Sequence, residues 1–447
     1  MSEYWNPQIE TMKKVELEEL RLKRIKAIVN YAYRNSQFYK ELYDDAGANP
    51  EDVKTYDDFR NKIPLFRKDQ IRDKRDETKD PFGTMLTIPL DNLERIHPST
   101  GTTGAPTFTA LTAEEVHVAS EPGTRLAWMW KIRPGMRLLS AIHFVGFWHW
   151  WSTFLGVLTM NKLGLNTELV AYNAYLHLFG FPTARMSLGK FRGDWALLPP
   201  DTALACINEF ARMGKDPKDA IPGLKYVTSA GEAISQKHRM YLMEKFGLLD
   251  WFDAWGCSDP FTLAGECYVH DGLHAYSDYW SLDLIDTETE ELLGPGEKGE
   301  IVATNLWMRA LPFVRFGTED FGEQIDETCN CGRTHHRVKV FDRASWVVDV
   351  AGKKISPFAL RLVMERHPET EEASFNIIKY SKKMDILKVK ASYKESITKD
   401  PEELKKRIAG EIKRELGVEA EIEWVPYEKL HKTLHKITRM VDLTKES

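Results

Sequence analysis

Eleven residues from His97 to Thr107, His-Pro-Ser-Thr-Gly-Thr-Thr-Gly-Ala-Pro-Thr, form the segment best suited to hold an anion. Gly101 and Gly104 permit positive φ and close backbone approach, so successive N–H groups could converge on one concavity. The hydroxyls of Ser99, Thr100, Thr102 and Thr103 would add donors around it. The same composition also suits an ordinary surface turn. The spacing fits neither Gly-x4-Gly-Lys-Ser/Thr nor Gly-x-Gly-x-x-Gly, which excludes those two phosphate-binding patterns.

Cysteine and histidine form a second group. Cys267 and His274 lie within one short segment, and Cys329-Asn-Cys331 lies downstream. Two thiolates one residue apart, with a distant Cys and His, suit tetrahedral Zn²⁺. A closed set of four ligands would be structural, because no position is left for water. His270 competes with His274 for the histidine position, and buried free thiols are the alternative to a metal. Cys206 and Cys257 read as core or turn residues.

The first of these segments resembles the phosphate loop of the acyl-adenylate-forming enzymes, Ser-Ser/Thr-Gly-Thr-Thr-Gly-Lys-Pro-Thr. Within that superfamily the chain resembles the phenylacetate–CoA ligase branch. Ala105 stands where a lysine is usual, which removes a positive charge and leaves the backbone cradle. Thr228-Ser-Ala-Gly-Glu resembles the adenine-side turn, with Gly231 and Glu232. Ala254-Trp-Gly-Cys-Ser-Asp resembles the aromatic-Gly-x-Ser-Glu motif. The resemblance implies nucleotide-binding roles for Trp255, Gly256 and Ser258, and a Mg²⁺ role for Asp259, one methylene shorter than the usual glutamate. Trp255 could stack on a base or fill the core.

Leu311-Pro-Phe-Val-Arg-Phe-Gly-Thr-Glu-Asp aligns with Pro-Leu-Ile-Arg-Tyr-Arg-Thr-Gly-Asp, which assigns Asp320 to the ribose hydroxyls. Gly317 and Glu319 depart from that pattern. Arg343 matches the arginine of Gly-Arg-Ser-Asp, and Ser345 replaces its hinge aspartate. Cys-x-Cys-Gly-Arg-Thr is itself characteristic of this branch, some members of which bind a structural zinc there. Near the end, Lys432-Thr-Leu-His-Lys-Ile-Thr-Arg resembles Lys-Thr-x-Gly-Lys-Ile-x-Arg, with His435 for glycine and Lys436 at the catalytic lysine position. Attack of a carboxylate on an α-phosphate builds negative charge, so a cation must reach it.

The elements around these motifs follow from periodicity. Ile9 to Ala46 is amphipathic and helical, and Leu65 to Arg72 leads towards the first sheet elements. Thr112–Trp130 reads as a helix and Met136–Ile142 as a buried strand. His143, Phe144, Phe147, Trp148 and Trp151 follow; such rings fill cores or line a pocket. The family places its acyl pocket there, which implies an aromatic acid. Strand-then-helix alternation over the first 340 residues argues for α/β layering, with ligands beyond the strand carboxyl ends. The expected fold is therefore a large N-terminal α/β domain of the adenylate-forming type, residues 1–342. A small, mobile α+β domain, residues 343–447, would carry Lys436 and one clear helix, Pro401–Leu416.

With 447 residues the chain can bury a large core. A net charge of −6 argues against a nucleic-acid or membrane partner. The first residues lack a signal-peptide pattern, and no run reaches bilayer-spanning length. Five cysteines, an odd number, suggest no disulfide framework, so a cytoplasmic location is expected. The expected activity is ATP-dependent formation of an aryl-adenylate, then a thioester with coenzyme A. The cofactors would be ATP, Mg²⁺, coenzyme A and structural Zn²⁺, and a homodimer is left open. Transfer to an amine or carrier protein is the enzymatic alternative, and a nucleotide-binding pseudoenzyme the other.

Overall fold

The computed structural model describes residues 2–99, 106–140, 159–164, 167–169, 193–221, 223–432 and 437–445. Two compact units emerge. The first comprises Met1–Leu197, Pro222–Gly231 and Phe252–Val340; the second comprises Leu198–Ile221, Glu232–Trp251 and Phe341–Ser447.

The first unit is built on a sheet that, among the described residues, has 11 strands. Arg137–Ser140 pairs in parallel with Thr167–Leu169 on one side and Trp195–Leu197 on the other. Trp195–Leu197 continues in parallel to Tyr226–Ala230. Trp195, Ala196 and Leu197 are all buried, as expected of a strand covered on both faces. Beyond Asp250–Cys257 the pairing becomes antiparallel, through Thr262–Glu266 and Leu273–Ala275. The sheet is thus mixed, and its antiparallel half carries the cysteine-containing segments.

The helix Ala113–Met129 follows the expected limits. Thr112 and Glu115 close a capping box at its start. The second oxygen of Glu115 accepts hydrogen bonds from the backbone N–H groups of Arg309 and Ala310, at 2.5 and 3.0 Å. One helix start therefore also fixes the chain leading into the Pro312–Asp320 motif.

Two expectations change here. The N-terminal amphipathic stretch is three helices, Pro7–Glu10, Lys14–Asn35 and Gln37–Asp45, with Ser36 capping the third. An extended Ser36 breaks the continuity that apolar spacing alone would allow. Leu65 to Arg72 does not lead into strands: Lys68 opens a helix, Lys68–Thr78. Its mostly charged sequence hides it from apolar periodicity.

In the second unit, the strands Ala420–Trp424, Leu387–Ala391, Phe375–Lys379 and Met440–Asp442 form one sheet in that order. The helix Pro401–Leu416 buries Leu404, Ile408 and Ile412 at four-residue steps. Asp400 caps it, and Gly417 ends it at φ 70°, a left-handed position suited to glycine. A further helix, Pro357–Met364, was not anticipated. Its sequence, Pro-Phe-Ala-Leu-Arg-Leu-Val-Met, is apolar nearly all round, so no helical stripe stands out.

Candidate functional site

The hydroxyl-rich segment is the connection of a hairpin. Arg95–Pro98 pairs antiparallel with Phe108–Leu111, and Pro98 lies opposite Phe108. Ser99 N–H donates to the Thr107 carbonyl at 2.8 Å, and Thr107 N–H donates to Ser99 Oγ at 3.0 Å. The base is therefore closed by both backbone and side chain. Thr100, Gly101, Thr102, Thr103, Gly104 and Ala105 lie outside the described residues.

Beneath that base sits Asp259, buried. It accepts a hydrogen bond from Thr107 Oγ1 and lies 2.9 Å from Lys68 Nζ. Thr109 Oγ1 donates to the Ser258 carbonyl at 2.9 Å, which ties the other hairpin strand to the same turn. Gly256 lies in the strand Asp250–Cys257, opposite Leu263. Lys68 was missed by the sequence reading, since nothing in its spacing connects it to a residue 191 positions away (259 − 68).

Trp255 and Asp320 are brought together. The indole Nε1–H donates to Asp320 Oδ2 at 2.9 Å, and both residues are about nine-tenths or more buried. The tryptophan thus joins the core of the unit through its ring and the motif aspartate through its edge.

One departure from the motif, Gly317, has a visible packing reason. A Cβ at Gly317 would stand 2.6 Å from Glu300 Oε1 and 3.0 Å from Arg67 Cγ, so an arginine there would force both aside. Glu319, at a family glycine position, keeps φ at 61°, the conformation glycine adopts most readily.

Gly231, at φ 101°, ends the strand Tyr226–Ala230, and the boundary between the units falls directly after it. Glu232 belongs to the second unit and faces arginines. Arg439 Nε donates to Glu232 Oε2 at 3.0 Å, and Arg361 Nη2 lies 2.9 Å from Oε1. Burial would raise this carboxyl, but Arg361 and Arg439 hold it well below the usual range. Arg343, also in the second unit, starts a short 3-10 turn through Trp346, in which Ser345 is exposed. Beside it, burial pushes the Asp342 carboxyl up to about 7. His143, Phe144, Phe147, Trp148, Trp151, His435 and Lys436 lie outside the described residues.

Cys267, His274, Cys329 and Cys331 converge. Their ligand atoms all lie within 4.8 Å of one another, and all four side chains are buried. Cys267 Sγ and Cys329 Sγ are 3.6 Å apart, and Cys331 Sγ is 3.3 Å from His274 Nε2. A tetrahedron with Zn–S bonds near 2.3 Å has S–S edges of about 3.8 Å, so the donor set fits that ion. Burial lowers the His274 pKa, which favours the neutral imidazole a metal requires. His270 stands apart, with Nδ1 3.0 Å from Glu266. No disulfide joins the cysteines.

The loop around this cluster is anchored to the chain's beginning. Tyr4 Oη donates to the Cys331 carbonyl at 2.9 Å, and Arg333 pairs with buried Glu10 at 2.8 Å. Gly332, at φ 83°, admits Tyr4 because a Cβ there would meet its hydroxyl at 2.3 Å.

These sites lie in a chain whose likeness to known proteins extends end to end. It is 26% identical over 468 aligned positions to phenylacetate-coenzyme A ligase of Thermus thermophilus, covering 99% of this chain and 100% of that one. The enzyme of the same name from Aromatoleum evansii is 27% identical, with 97% and 96% covered. The family description "AMP-binding enzyme C-terminal domain" matches residues 352–444. The chain is similar to phenylacetate–CoA ligases along nearly its whole length.

The fold agrees with that similarity. A crystal structure of 2-hydroxyisobutyryl-CoA ligase in the postadenylation state, in complex with R3-HIB-AMP, superposes with a TM-score of 0.86 at 20% identity. The match covers 100% of this chain and 93% of that one. Among the described residues no helix is long and apolar enough to cross a membrane.

Proposed function

We propose that this protein activates a carboxylic acid with ATP and transfers the acyl group to coenzyme A. An acid oxygen attacks the α-phosphorus and pyrophosphate leaves, giving an acyl-adenylate. The coenzyme A thiolate then attacks the acyl carbonyl and AMP leaves. The observation that carries this reading is the hairpin base closed onto Asp259 and Lys68 in a chain matching phenylacetate–CoA ligases along its whole length.

In this reading, Ser99 to Gly104 cradle the phosphates. Trp255, Gly256 and Ser258 border the nucleoside, and Asp320, oriented by the Trp255 indole, receives the ribose hydroxyls. Arg343 adds positive charge to the nucleotide. Lys436 stabilises charge that develops as pyrophosphate departs. His143, Phe144, Phe147, Trp148 and Trp151 line the acid pocket, which favours an aromatic acid through ring burial.

Asp259 by itself does not make a magnesium site, because its carboxylate is already engaged by Lys68 and Thr107. Mg²⁺ needs near-octahedral oxygen ligation and is commonly held largely by substrate phosphates. We therefore assign Asp259 to fixing the hairpin base. Cys267, His274, Cys329 and Cys331 would hold a structural Zn²⁺, remote in role from the chemistry. A cytoplasmic setting and an unmodified thiol population suit such a site.

ATP–pyrophosphate exchange across a panel of carboxylic acids tests the reading. Aromatic acids should support exchange better than acetate or propionate. No exchange with any acid would instead indicate a nucleotide-binding pseudoenzyme, and exchange without coenzyme A consumption an amide-type or carrier ligase.

A further inference from the structure

The four side chains of the cysteine–histidine cluster stand on two kinds of support. His274 lies in the strand Leu273–Ala275, opposite Gly265 on one side and Arg337 on the other. Cys267 directly follows the strand Thr262–Glu266, which pairs with that same strand. Neither residue can move without breaking a sheet ladder. Cys329 and Cys331 instead lie on the loop between the strands Phe316–Ile325 and Arg337–Arg343. Each of the four ligands is at most 4% exposed, so an ion enters or leaves only when this loop moves.

The loop is held a second time, by the segment from Glu3 to Met12. Beyond the Tyr4–Cys331 and Glu10–Arg333 contacts, Arg333 Nη2 donates to the Glu3 carbonyl at 3.3 Å. Its guanidinium carbon lies 5.0 Å from the centre of the Tyr4 ring. Thr334 N–H donates to the Glu10 carbonyl at 3.2 Å, and Thr334 Oγ1 to the Met12 carbonyl at 2.6 Å. Ser277 N–H donates to His335 Nδ1 at 3.0 Å, which leaves the proton on Nε2 to donate to the Ile9 carbonyl at 3.0 Å.

Cys331, Arg333, Thr334 and His335 are thus all bonded to residues 322 to 327 positions away in sequence. The segment itself runs along the surface: Pro7 and Gln8 are exposed, whereas Glu10 is fully buried. Stability is not uniform across a fold, and a short surface element opens at a lower cost than the sheet beneath it. Here that opening and the movement of Cys329 and Cys331 break the same contacts. All the groups involved lie in the first unit.

We propose that residues 3–12 are a strap that controls metal exchange at the cysteine–histidine cluster. The strap and the Cys329–His335 loop must part before an ion can leave or enter. The proposal rests on the zinc reading given above, and concerns how fast the ion exchanges, not whether it binds.

The test follows zinc transfer from the full-length protein to excess 4-(2-pyridylazo)resorcinol, read by absorbance. Tyr4→Phe keeps the ring and removes one hydrogen bond to the loop. Zinc release should be roughly 3- to 10-fold faster, the worth of one neutral hydrogen bond. Glu10→Gln leaves the buried Arg333 without a counter-charge, and release should accelerate on the order of 100-fold or more. Should Glu10→Gln fail to fold, Tyr4→Phe alone decides. Lys68→Met weakens the same unit at contacts the strap does not share, and should release zinc at the parental rate. Parental release from both strap variants overturns the proposal. Equal acceleration by Lys68→Met also overturns it, since the ion would then escape by unfolding of the whole unit. If the purified protein holds no zinc, the metal reading fails and the strap with it; if zinc is present and the strap variants release it at the parental rate, only the strap fails.

Discussion

Two buried side chains, Lys68 and Asp259, hold the base of the hairpin in a way that the motif residues alone do not disclose. Their 2.9 Å pair leaves a charge stranded if one partner is removed. Lys68→Met should therefore destabilise the first unit by about 3–5 kcal/mol, the usual range for breaking a buried pair, read by denaturant unfolding. Asp259→Asn with Lys68→Met should recover most of that loss. Glu319 offers the opposite sign. At φ 61° a non-glycine residue carries roughly 1–2 kcal/mol of left-handed strain, and glycine costs about 0.5–1 kcal/mol in unfolded-state entropy. Glu319→Gly should thus stabilise the protein by up to about 1.5 kcal/mol, seen as a higher denaturation midpoint at unchanged slope.

Asp342 supplies a pH dependence at the same scale. Its carboxyl is raised from 3.8 to about 7, first by burial, with Arg361 opposing and Glu232 reinforcing the shift. Between those two values the folded state keeps a proton that the unfolded state has lost. Its contribution is complete below the lower value and disappears as pH rises through about 7. Asp342→Asn keeps an acceptor for the Phe358 N–H, so it should raise the melting temperature at pH 8 and leave it nearly unchanged at pH 4. Equal shifts at both pH values would show that Asp342 is not the titrating group.

At the scale of elements, legibility followed apolar contrast and capping chemistry. Ala113–Met129 and Pro401–Leu416 were readable because each joins a side-chain N-cap to buried residues on helical spacing. Lys68–Thr78 was hidden by its charge, and Pro357–Met364 by its lack of polar contrast. The site residues divide similarly. Trp255 and Asp320 were singled out from separate motifs and meet through one hydrogen bond. Glu232, Arg361 and Arg439 come from segments far apart in sequence, and a charge network of that kind has no local signature. The Arg439 position did lie within the quoted C-terminal motif, but its partners could not be read from it.

For the whole molecule, the cysteine–histidine cluster joins the strand Leu273–Ala275 to the loop held by Tyr4 and Glu10. If zinc binds there, it contributes stability only to the folded state, on the order of 4 kcal/mol when free metal stands a thousandfold above Kd. Metal analysis should find about one zinc per chain by the closed four-ligand stoichiometry. Chelation should lower the melting temperature, and Cys329→Ser should reproduce that effect without changing KM for ATP. Zinc-free protein with all cysteines readily titratable in the native state would remove the assignment.

Product analysis is the decisive test of the proposed reaction. Purified protein is incubated with ATP, Mg²⁺, coenzyme A and phenylacetate, or the best acid from the exchange panel. The products are separated and identified by mass. Equal amounts of AMP, pyrophosphate and acyl-CoA thioester are expected, with AMP formation dependent on the acid. Production of ADP and phosphate in place of AMP and pyrophosphate, or AMP without any thioester, would contradict it.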